Sequence, residues 1–430
     1  MARKMKDSGI EWIGEIPEGW EIKRLGAILQ ERNEVNNPIQ TTSILSLTNN
    51  RGVIPYSEKG NQGNKAKDDL TGYKIAHIGD IVLNSMNVII GSVGLSNYYG
   101  AVSPVYYMLF PRNNIETNIQ YYNYLFQTTA FQQSLRGYGN GILEIRMRIQ
   151  MQKLKTVLLP VPTFLEQSNI TVYLDASLSK LNILLSKTRS SIEEYKKLKQ
   201  AVITQAVTKG VRGEREMKDS GIDWIGKIPK EWVIQKIKSI SSRINVGVVI
   251  RPSEYFDENG TVPFLRGINV KEYLISSDNM VYINESSNRI LSKSQVHTDD
   301  ILIVRDGSIG TSCVVPAEFD GANVVSMVIA TPLISCDSRF ICYSLNSDVG
   351  KTQFTLTKIG SALTHTSVSA VSDIIVAVPS CAEQKEIADH LDAKCAEIDK
   401  LITKKEQLVK ELESYKKSLI YEVVTGKREV

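Results

Sequence analysis

The sequence predicts an α+β protein with an internal pseudo-twofold repeat, in which two β-rich domains are separated by two long antiparallel helices that form a coiled coil. A duplicated opening segment is the first reason, because residues 5–25 return at 217–237 with 13 of 21 residues identical. Self-similarity across a chain of 430 residues indicates an internal duplication. The second reason is a heptad pattern of apolar residues at the end of each half.

Composition places the chain among ordinary globular proteins, with 42% hydrophobic and 23% charged residues. The basic opening residues are not followed by an apolar stretch, and the longest apolar runs are too short to cross a bilayer. We therefore expect a cytoplasmic protein. All five cysteines lie in the second half without CxxC spacing, which predicts reduced thiols and no duplicated metal site.

The repeats divide the chain into four segments. The predicted order is a first β-rich domain at 1–161, a first spacer helix at 162–209, a second β-rich domain at 210–378 and a second spacer helix at 379–430. Each domain contains a lobe that follows the opening segment. We call residues 21–161 the first lobe and residues 233–378 the second lobe.

Both lobes carry short β-type runs punctuated by Gly, Pro, Asn and Asp. The predicted strands lie at 43–47, 81–83, 105–110, 324–329 and 374–378. Several runs match between the lobes, whereas 49–75 has no likeness to 266–292. A shared scaffold with different loops indicates two related sites that recognise different things.

The two C-terminal segments predict long helices, each with one apolar stripe. The predicted coiled-coil seam consists of Leu174, Leu178, Leu181, Leu185, Ile192 and Tyr195 in the first helix and Leu391, Cys395, Ile398, Ile402, Val409 and Leu412 in the second. Its gaps are Thr188, Lys199, Lys405 and Lys416. Antiparallel pairing would return the chain's end beside its start, and a helix of about 45 residues would be about 70 Å long.

Catalytic patterns are missing from the sequence. It contains no GxxxxGK[ST], HExxH or GxSxG pattern, and its four histidines are scattered. The Gly-Ser-x-Gly segments at 91–94 and 307–310 are more typical of turns than of phosphate loops. We therefore predict no catalytic residues, no metal site and no cofactor bound by this chain.

Three sequence features together resemble one family. They are the DSGIxWIGxIPxxW opening, the PxxxEQ helix start and the YEVVTGK helix end. With the two half-repeats around variable lobes, they resemble the specificity subunit of type I restriction–modification systems over essentially the whole chain. The resemblance implies that each lobe is a target-recognition domain for one half of a bipartite double-stranded DNA site, and that the helices set the spacing between half-sites.

The same resemblance implies the partners of the chain. Two modification (methyltransferase) subunits would dock on the helices and domains, and restriction subunits with translocase and nuclease activity would join them. S-adenosylmethionine, ATP and Mg²⁺ would then belong to those partner subunits. Two other interpretations stay open from the residues: a coiled-coil interaction protein without a DNA role, and a nuclease fused to recognition lobes.

Candidate DNA-contacting residues are basic or amide side chains of the lobes. The first lobe has 14 Lys and Arg against 9 Asp and Glu, whereas the second has 12 against 14, so charge alone does not outline a footprint. Arg and Asn suit guanine and adenine edges, and Lys suits phosphate. The candidates are Lys65, Lys67, Arg136, Asn140, Arg146 and Arg148 in the first lobe, and Arg251, Arg266, Lys271, Arg305, Lys358, His365 and Thr366 in the second.

Two further features are interpreted as structural framework. Trp12, Trp20, Trp224 and Trp232 belong to the duplicated segment, so we predict that they pack the start of each domain against the helix ends. The Glu-Gln pairs at 166–167 and 383–384 are predicted to cap the helix N-termini.

Overall fold

The structure, a computed structural model, describes residues 3–49, 51–60, 65–86, 91–140, 148–358 and 365–430. It forms two compact units. Unit 1 contains Met1–Arg189 and Gln407–Val430, and unit 2 contains Ser190–Glu406. Each unit therefore holds one lobe together with a part of each long helix.

Unit 1 begins with the opening segment and continues into the first lobe. Its strands are β1 Met5–Asp7, β2 Glu15–Pro17, β3 Glu21–Arg24, β4 Leu29–Arg32, β5 Leu45–Thr48, β6 Gly52–Pro55, β7 Lys74–Ala76, β8 Ile81–Asn84, β9 Val93–Leu95, β10 Gly100–Val102, β11 Tyr106–Pro111, β12 Gly139–Asn140, β13 Arg148–Ile149 and β14 Leu158–Val161. Its helices are α1 Leu25–Ile28, α2 Ile119–Gln127, α3 Thr129–Ser134 and α4 Met151–Leu154, and the long helix α5 Phe164–Lys209 follows.

Unit 2 repeats this order with the second lobe. Its strands are β15 Met217–Asp219, β16 Lys227–Pro229, β17 Val233–Lys236, β18 Ser241–Val246, β19 Val262–Leu265, β20 Val270–Lys271, β21 Leu274–Ile275, β22 Val281–Ile283, β23 Ile301–Val304, β24 Ser312–Val314, β25 Asn323–Val324, β26 Met327–Pro332 and β27 Ile375–Val378. Its helices are α6 Glu285–Ile290, α7 Ser338–Asn346, α8 Asp348–Lys358 and α9 Val368–Ser372, and the last long helix is α10 Cys381–Val424.

An antiparallel four-stranded sheet is common to both lobes. Its strand order is β4-β11-β8-β9 in the first lobe and β18-β26-β23-β24 in the second. Met108 stands opposite Val82 and Arg32 in the first sheet, and Ile329 stands opposite Leu302 and Asn245 in the second. The second lobe adds a sheet of order β22-β19-β25, which includes a parallel pair. The predicted α+β class and the internal repeat are confirmed.

Each lobe is joined to its framework by two neighbouring strands. β3 pairs with β14 in the first lobe, and β17 pairs with β27 in the second. Beyond these pairs, the Leu25 amide donates to the Val157 carbonyl at 2.7 Å, and the Ile237 amide donates to the Ile374 carbonyl at 2.9 Å. The chain therefore enters and leaves each lobe through one two-stranded neck.

The structure differs from the sequence prediction at 324–329, which is not one strand. Ser326 has a φ of 48°, a left-handed conformation that L residues adopt at a cost. It separates β25 from β26, so the chain moves from one sheet to another. The lobes also contain the helix pairs α2–α3 and α7–α8, whose apolar residues the strand-based prediction did not assign.

Equivalent contacts cap the N-termini of the two long helices. Thr163 and Glu166 form a capping box, in which the Glu166 amide donates to Thr163 Oγ1 at 3.3 Å and the Thr163 amide donates to Glu166 Oε2 at 3.2 Å. In α10, the Glu383 amide donates to Ser380 Oγ at 3.4 Å. The capping prediction is confirmed for Glu166, whereas in α10 the cap is Ser380 and the Glu383 carboxylate lies 2.6 Å from Arg215 Nη1.

The glutamine of each Glu-Gln pair ties the helix to its lobe. Gln167 is fully buried, donates to the Pro162 carbonyl at 2.9 Å and accepts from the Asn118 amide at 2.8 Å. Gln384 repeats both bonds with the Pro379 carbonyl at 3.0 Å and the Asp337 amide at 2.9 Å. Asn118 and Asp337 are the N-caps of α2 and α7, so each glutamine orients one lobe helix against the start of a long helix.

Two of the four tryptophans anchor the framework, as predicted. Trp20 and Trp232 are completely buried, and their rings meet Tyr121 and Phe340 edge to face. At about 25 cal/mol per Å², burial of a ring of roughly 200 Å² contributes about 5 kcal/mol. Trp12 is half-buried against Phe131, whereas the prediction is wrong for Trp224, whose side chain is 41% exposed.

Within each unit the two long helices pack antiparallel. In unit 1, Leu174 and Leu178 share a core with Leu419 and Val423. In unit 2, Ile203 and Val207 share a core with Leu391 and Cys395. Seven seam residues are buried, namely Leu174, Leu178, Leu185, Ile192, Leu391, Cys395 and Ile398. The other five are half-buried: Leu181, Tyr195, Ile402, Val409 and Leu412.

None of the helices in the described ranges has both the length and the apolar content that crossing a membrane requires. All five cysteines are free thiols. Burial raises the pKa of Cys313 to about 12, so that thiol stays protonated at neutral pH.

Candidate nucleic-acid interface

The same backbone contact lies at one strand end in both lobes. After β8, the carbonyl of Ser85 accepts from the Ile149 amide at 2.9 Å. After the equivalent β23, the carbonyl of Arg305 accepts from the Thr366 amide at 3.1 Å. Ile149 and Thr366 therefore bring two different local sequences to the same place on both scaffolds.

At this strand end the second lobe brings three candidate residues together. Arg305 Nε donates to the Thr366 carbonyl at 3.0 Å, and His365 forms a β-bridge with Asp306. The Oγ1 atom of Thr366 is buried without a hydrogen-bond partner among the described residues. The half-buried Arg305 guanidinium is thus held in place by the segment that ends at Thr366.

The first lobe presents a different surface at the equivalent place. Arg148 is exposed in β13, one residue before Ile149, and its backbone stands opposite that of Asn140 in β12. Tyr107 Oη donates to the Ile149 carbonyl at 3.1 Å, which fixes the end of this hairpin on the sheet. Arg136 is exposed in the short turn that precedes β12.

The remaining candidates lie elsewhere on the lobes. Lys65, Lys67 and Lys271 are exposed, and Arg251 is exposed beside Glu254, with 3.2 Å between Nη1 and Oε1. The half-buried Arg266 donates to the Asn279 carbonyl. Arg146 lies outside the described residues, as do the side chains of Asn140 and Lys358. None of these contacts joins this group to the Arg305 cluster.

Unit 1 contains a polar groove that the sequence did not reveal. Its volume is about 1610 Å³, and its walls come from the first lobe and from both long helices. Among its lining side chains, Gln127, Gln132 and Asn182 are amides, and Lys416 and Lys417 are cations. Such groups donate to phosphate oxygens and to base edges. Burial, followed by the nearby charge of Arg189, lowers the pKa of Lys416.

In unit 2, hydrogen bonds between α5 and the second lobe close the place that is equivalent to this groove. Gln200 donates to the Asn346 carbonyl at 2.9 Å, and the Asp348 amide donates to Thr204 Oγ1 at 3.0 Å. The helix positions equivalent to 200 and 204 in unit 1 are Lys417 and Tyr421, which line the groove. Lys416 stood out in the sequence only as a gap in the apolar seam.

The histidines do not form a catalytic cluster. His77 lies 2.8 Å from Glu34, and His297 lies 3.5 Å from Asp320. Across the described ranges, no three His, Cys, Asp or Glu side chains come together as ligands of a metal ion would. The arrangement offers charged and polar side chains for binding, held on rigid sheets.

Comparison with known proteins agrees with this architecture. The family model for the type I restriction modification DNA specificity domain matches twice, at residues 17–194 and 229–411. The type I restriction enzyme MjaVIII specificity subunit of Methanocaldococcus jannaschii is 24% identical over 430 residues, which cover 96% of this chain and 93% of that protein.

Two solved structures share the fold. One, from work on complex assembly and conformational transition of the type I R-M system, has a TM-score of 0.74 at 13% identity and covers 96% of this chain and 99% of its own. The HsdS subunit from Thermoanaerobacter tengcongensis has a TM-score of 0.53 at 14% identity, over 96% of this chain and 98% of its own. Because the family model matches both halves, this chain belongs to the type I restriction–modification specificity family, and it is a specificity subunit with two DNA sequence recognition domains.

Proposed function

We propose that this chain is the non-catalytic subunit that reads a bipartite DNA sequence, with one half-site contacted by each lobe. A specificity subunit of this family works in a complex with DNA and the other restriction–modification subunits. The paired helices would set the distance between half-sites. S-adenosylmethionine, ATP and Mg²⁺ would be bound by the modification and restriction subunits. The coiled-coil protein without a DNA role is not favoured, because both halves match a DNA specificity domain.

The observation that carries the proposal is the equivalent strand end in the two lobes. The hydrogen bonds from Ile149 to Ser85 and from Thr366 to Arg305 hold the residues beside Ile149 and Thr366 at the same position on the two sheets. The side chains there differ, since Ser85 and Arg148 in the first lobe lie where Arg305 and His365 lie in the second. Equivalent frames with different side chains support two readers of different half-sites.

Exposed apolar residues on the helices support the docking of two copies of one partner. Leu184 is 44% exposed in unit 1, and Leu401, 217 positions later, is 38% exposed in unit 2. Leu198 and Tyr415 form a second exposed pair with the same offset. A pseudo-twofold repeat presents the same surface twice, so two modification subunits would use equivalent contacts.

The decisive experiment identifies methylated bases in DNA. Purified chain, its modification subunit and S-adenosylmethionine are incubated with unmethylated genomic DNA, and modified bases are located by long-read sequencing. We expect one bipartite motif with a fixed gap. Absence of methylation at any bipartite motif, although the complex forms, would refute the proposal.

Single-lobe variants test the division of labour. Arg148→Ala should weaken discrimination only at the half-site read by the first lobe, and Arg305→Ala only at the other. A lost bidentate base contact costs about 1–3 kcal/mol, or roughly 5- to 150-fold in discrimination. Lys230→Ala, at an exposed framework residue paired with Glu216, is the matched control. Relaxation of both half-sites by one lobe variant would contradict this assignment.

Docking is tested by stoichiometry. Leu184→Glu should reduce the complex from two bound modification subunits to one, measured by native mass spectrometry, and Leu401→Glu should do the same. The double variant should bind none. Full binding by the double variant would place the docking surface elsewhere.

A further inference from the structure

Charged contacts connect the two long helices in unit 1. Arg189 on α5 forms an ion pair with Glu413 on α10. Lys416 Nζ donates to Asn182 Oδ1 at 2.8 Å. Lys416 occupies a gap in the apolar seam, so polar contacts replace an apolar layer here.

Charged contacts also connect the helices in unit 2. Lys199 Nζ lies 2.8 Å and 2.6 Å from the two carboxylate oxygens of Asp399. Lys196 bonds to Glu193 on its own helix, and the charge of Glu406 on the other helix adds to that of Glu193 in raising the pKa of Lys196. The cation again lies on α5 and the anion on α10.

The contacts in the two units are related by the repeat. At the offset of 217 that aligns the helices, Arg189 is equivalent to Glu406, and Lys196 is equivalent to Glu413. By the same offset, Asn182 is equivalent to Asp399 and Lys199 to Lys416. The same helix positions therefore interact in both units: the 182–416 contact recurs as 399–199, and the ion pair 189–413 recurs as the charge attraction 406–196.

A helix that paired with a second copy of itself would lose this complementarity. In the same geometry, two α5 helices would place Arg189 opposite Lys196 twice. Two α10 helices would place Glu406 opposite Glu413 twice. Only Asp399 and Lys416 would still attract each other in the α10 pair. We propose that the charges on this helix pair select the other half of the chain as partner and reject a second copy of the same helix.

The wider charge of each helix supports the inference. Residues 180–199 contain six basic and two acidic residues, whereas the equivalent residues 397–416 contain five of each. A pair of α5 helices would bring two strongly positive surfaces together, and the natural pair does not. In coiled coils, charges beside the seam decide which helices pair.

Two double variants of the full chain with the same net charge test the proposal. K196E/E413K leaves like charges facing each other at 189–413 and at 196–406. K196E/E406K keeps the attraction at 189–413 and exchanges the signs at 196–406, so it is the matched control. Thermal unfolding and molar mass in solution are measured for both variants and for the unaltered chain.

At low salt we expect K196E/E413K to melt roughly 3–6 °C below K196E/E406K, because each exposed contact has a small effect and the two at 189–413 and 196–406 turn from attraction to repulsion. We also expect only K196E/E413K to form dimers, since its natural helix pair becomes repulsive while pairing with a second copy becomes attractive, whereas the control keeps an attractive natural pair within the chain. In 1 M salt, where the Debye length is about 3 Å, both differences should shrink. Equal melting temperatures at low salt, a monomeric K196E/E413K chain, or equal association of the control would overturn the proposal.

Discussion

Gly426 lies where the end of α10 meets the opening segment of unit 1, and its replacement by alanine tests that junction. Its φ is +73°, and a Cβ added there would lie 2.4 Å from Pro17 Cδ and 2.5 Å from Pro17 Cγ. The proline ring cannot turn aside as a flexible side chain could. Gly9 has a φ of +68°, but no described atom lies within 4 Å of an added Cβ.

These geometries separate two costs. A left-handed conformation costs an L residue about 1–2 kcal/mol, which both variants incur. Overpacking adds about 1–3 kcal/mol at Gly426 alone. We therefore expect G426A to lose about 2–5 kcal/mol of the free energy of unfolding and G9A about 1–2 kcal/mol. For a unit of this size, 1 kcal/mol lowers the melting temperature by about 2–4 °C.

Thermal unfolding followed by circular dichroism provides the assay. Unit 1 should melt about 4–20 °C lower in G426A and about 2–8 °C lower in G9A. If G426A loses no more stability than G9A, the close approach of Pro17 to Gly426 is wrong. The packing of the chain's end against its opening segment would then need revision.

The remaining predictions concern burial and ionisation. Trp20 Nε1 donates to Glu166 at 3.1 Å, whereas the buried Nε1 of Trp232 has no partner in the described parts of the chain. In chemical denaturation, W20F should therefore lower the free energy of unfolding by about 1.5–3 kcal/mol more than W232F. Equal losses would contradict this. Burial alone would raise the pKa of Glu166, but hydrogen bonds from Trp20 and two other residues outweigh it and lower that pKa. The stability that Glu166 contributes is present above about pH 4.5 and is lost as the pH falls through its folded pKa. Between pH 3 and 7, the melting temperature of E166Q should therefore depend less on pH than that of the unaltered chain. An unchanged pH dependence would refute this contribution of Glu166. A thiol reagent should label the exposed Cys381 well before the buried Cys313, as mass spectrometry of labelled peptides would show, and the reverse order would be inconsistent with their burial.

The repeated framework was predictable because it depends on local patterns. Heptad spacing placed Leu174 and Leu391 in a buried seam, and the Glu-Gln pairs marked both helix starts. The pattern could not predict which side chains pair with the polar residues that interrupt the apolar seam. Lys199 pairs with Asp399, which is 200 residues away, and only the antiparallel register brings them together.

The residues of the candidate interface were less predictable, for a physical reason. The groove of unit 1 combines Arg51, Gln127, Asn182 and Lys417, which come from distant parts of the chain and share no periodicity. The split of 324–329 depends on the left-handed backbone of Ser326, although serine carries no strong signal for that conformation. Single side chains such as Arg305 gain significance only from the strand end at which the fold holds them.

The two-stranded neck of each lobe has an evolutionary consequence. Backbone hydrogen bonds of β3 with β14, and of β17 with β27, close each lobe at its base, and the lobe side chains that pack against the framework include Tyr121 on α2 and Phe340 on α7. The sheets and loops beyond those two helices can therefore diverge while the caps, the buried tryptophans and the helix charges stay intact. If each lobe reads one half-site, as proposed, a new DNA target can arise in one lobe while the contacts between the long helices stay the same.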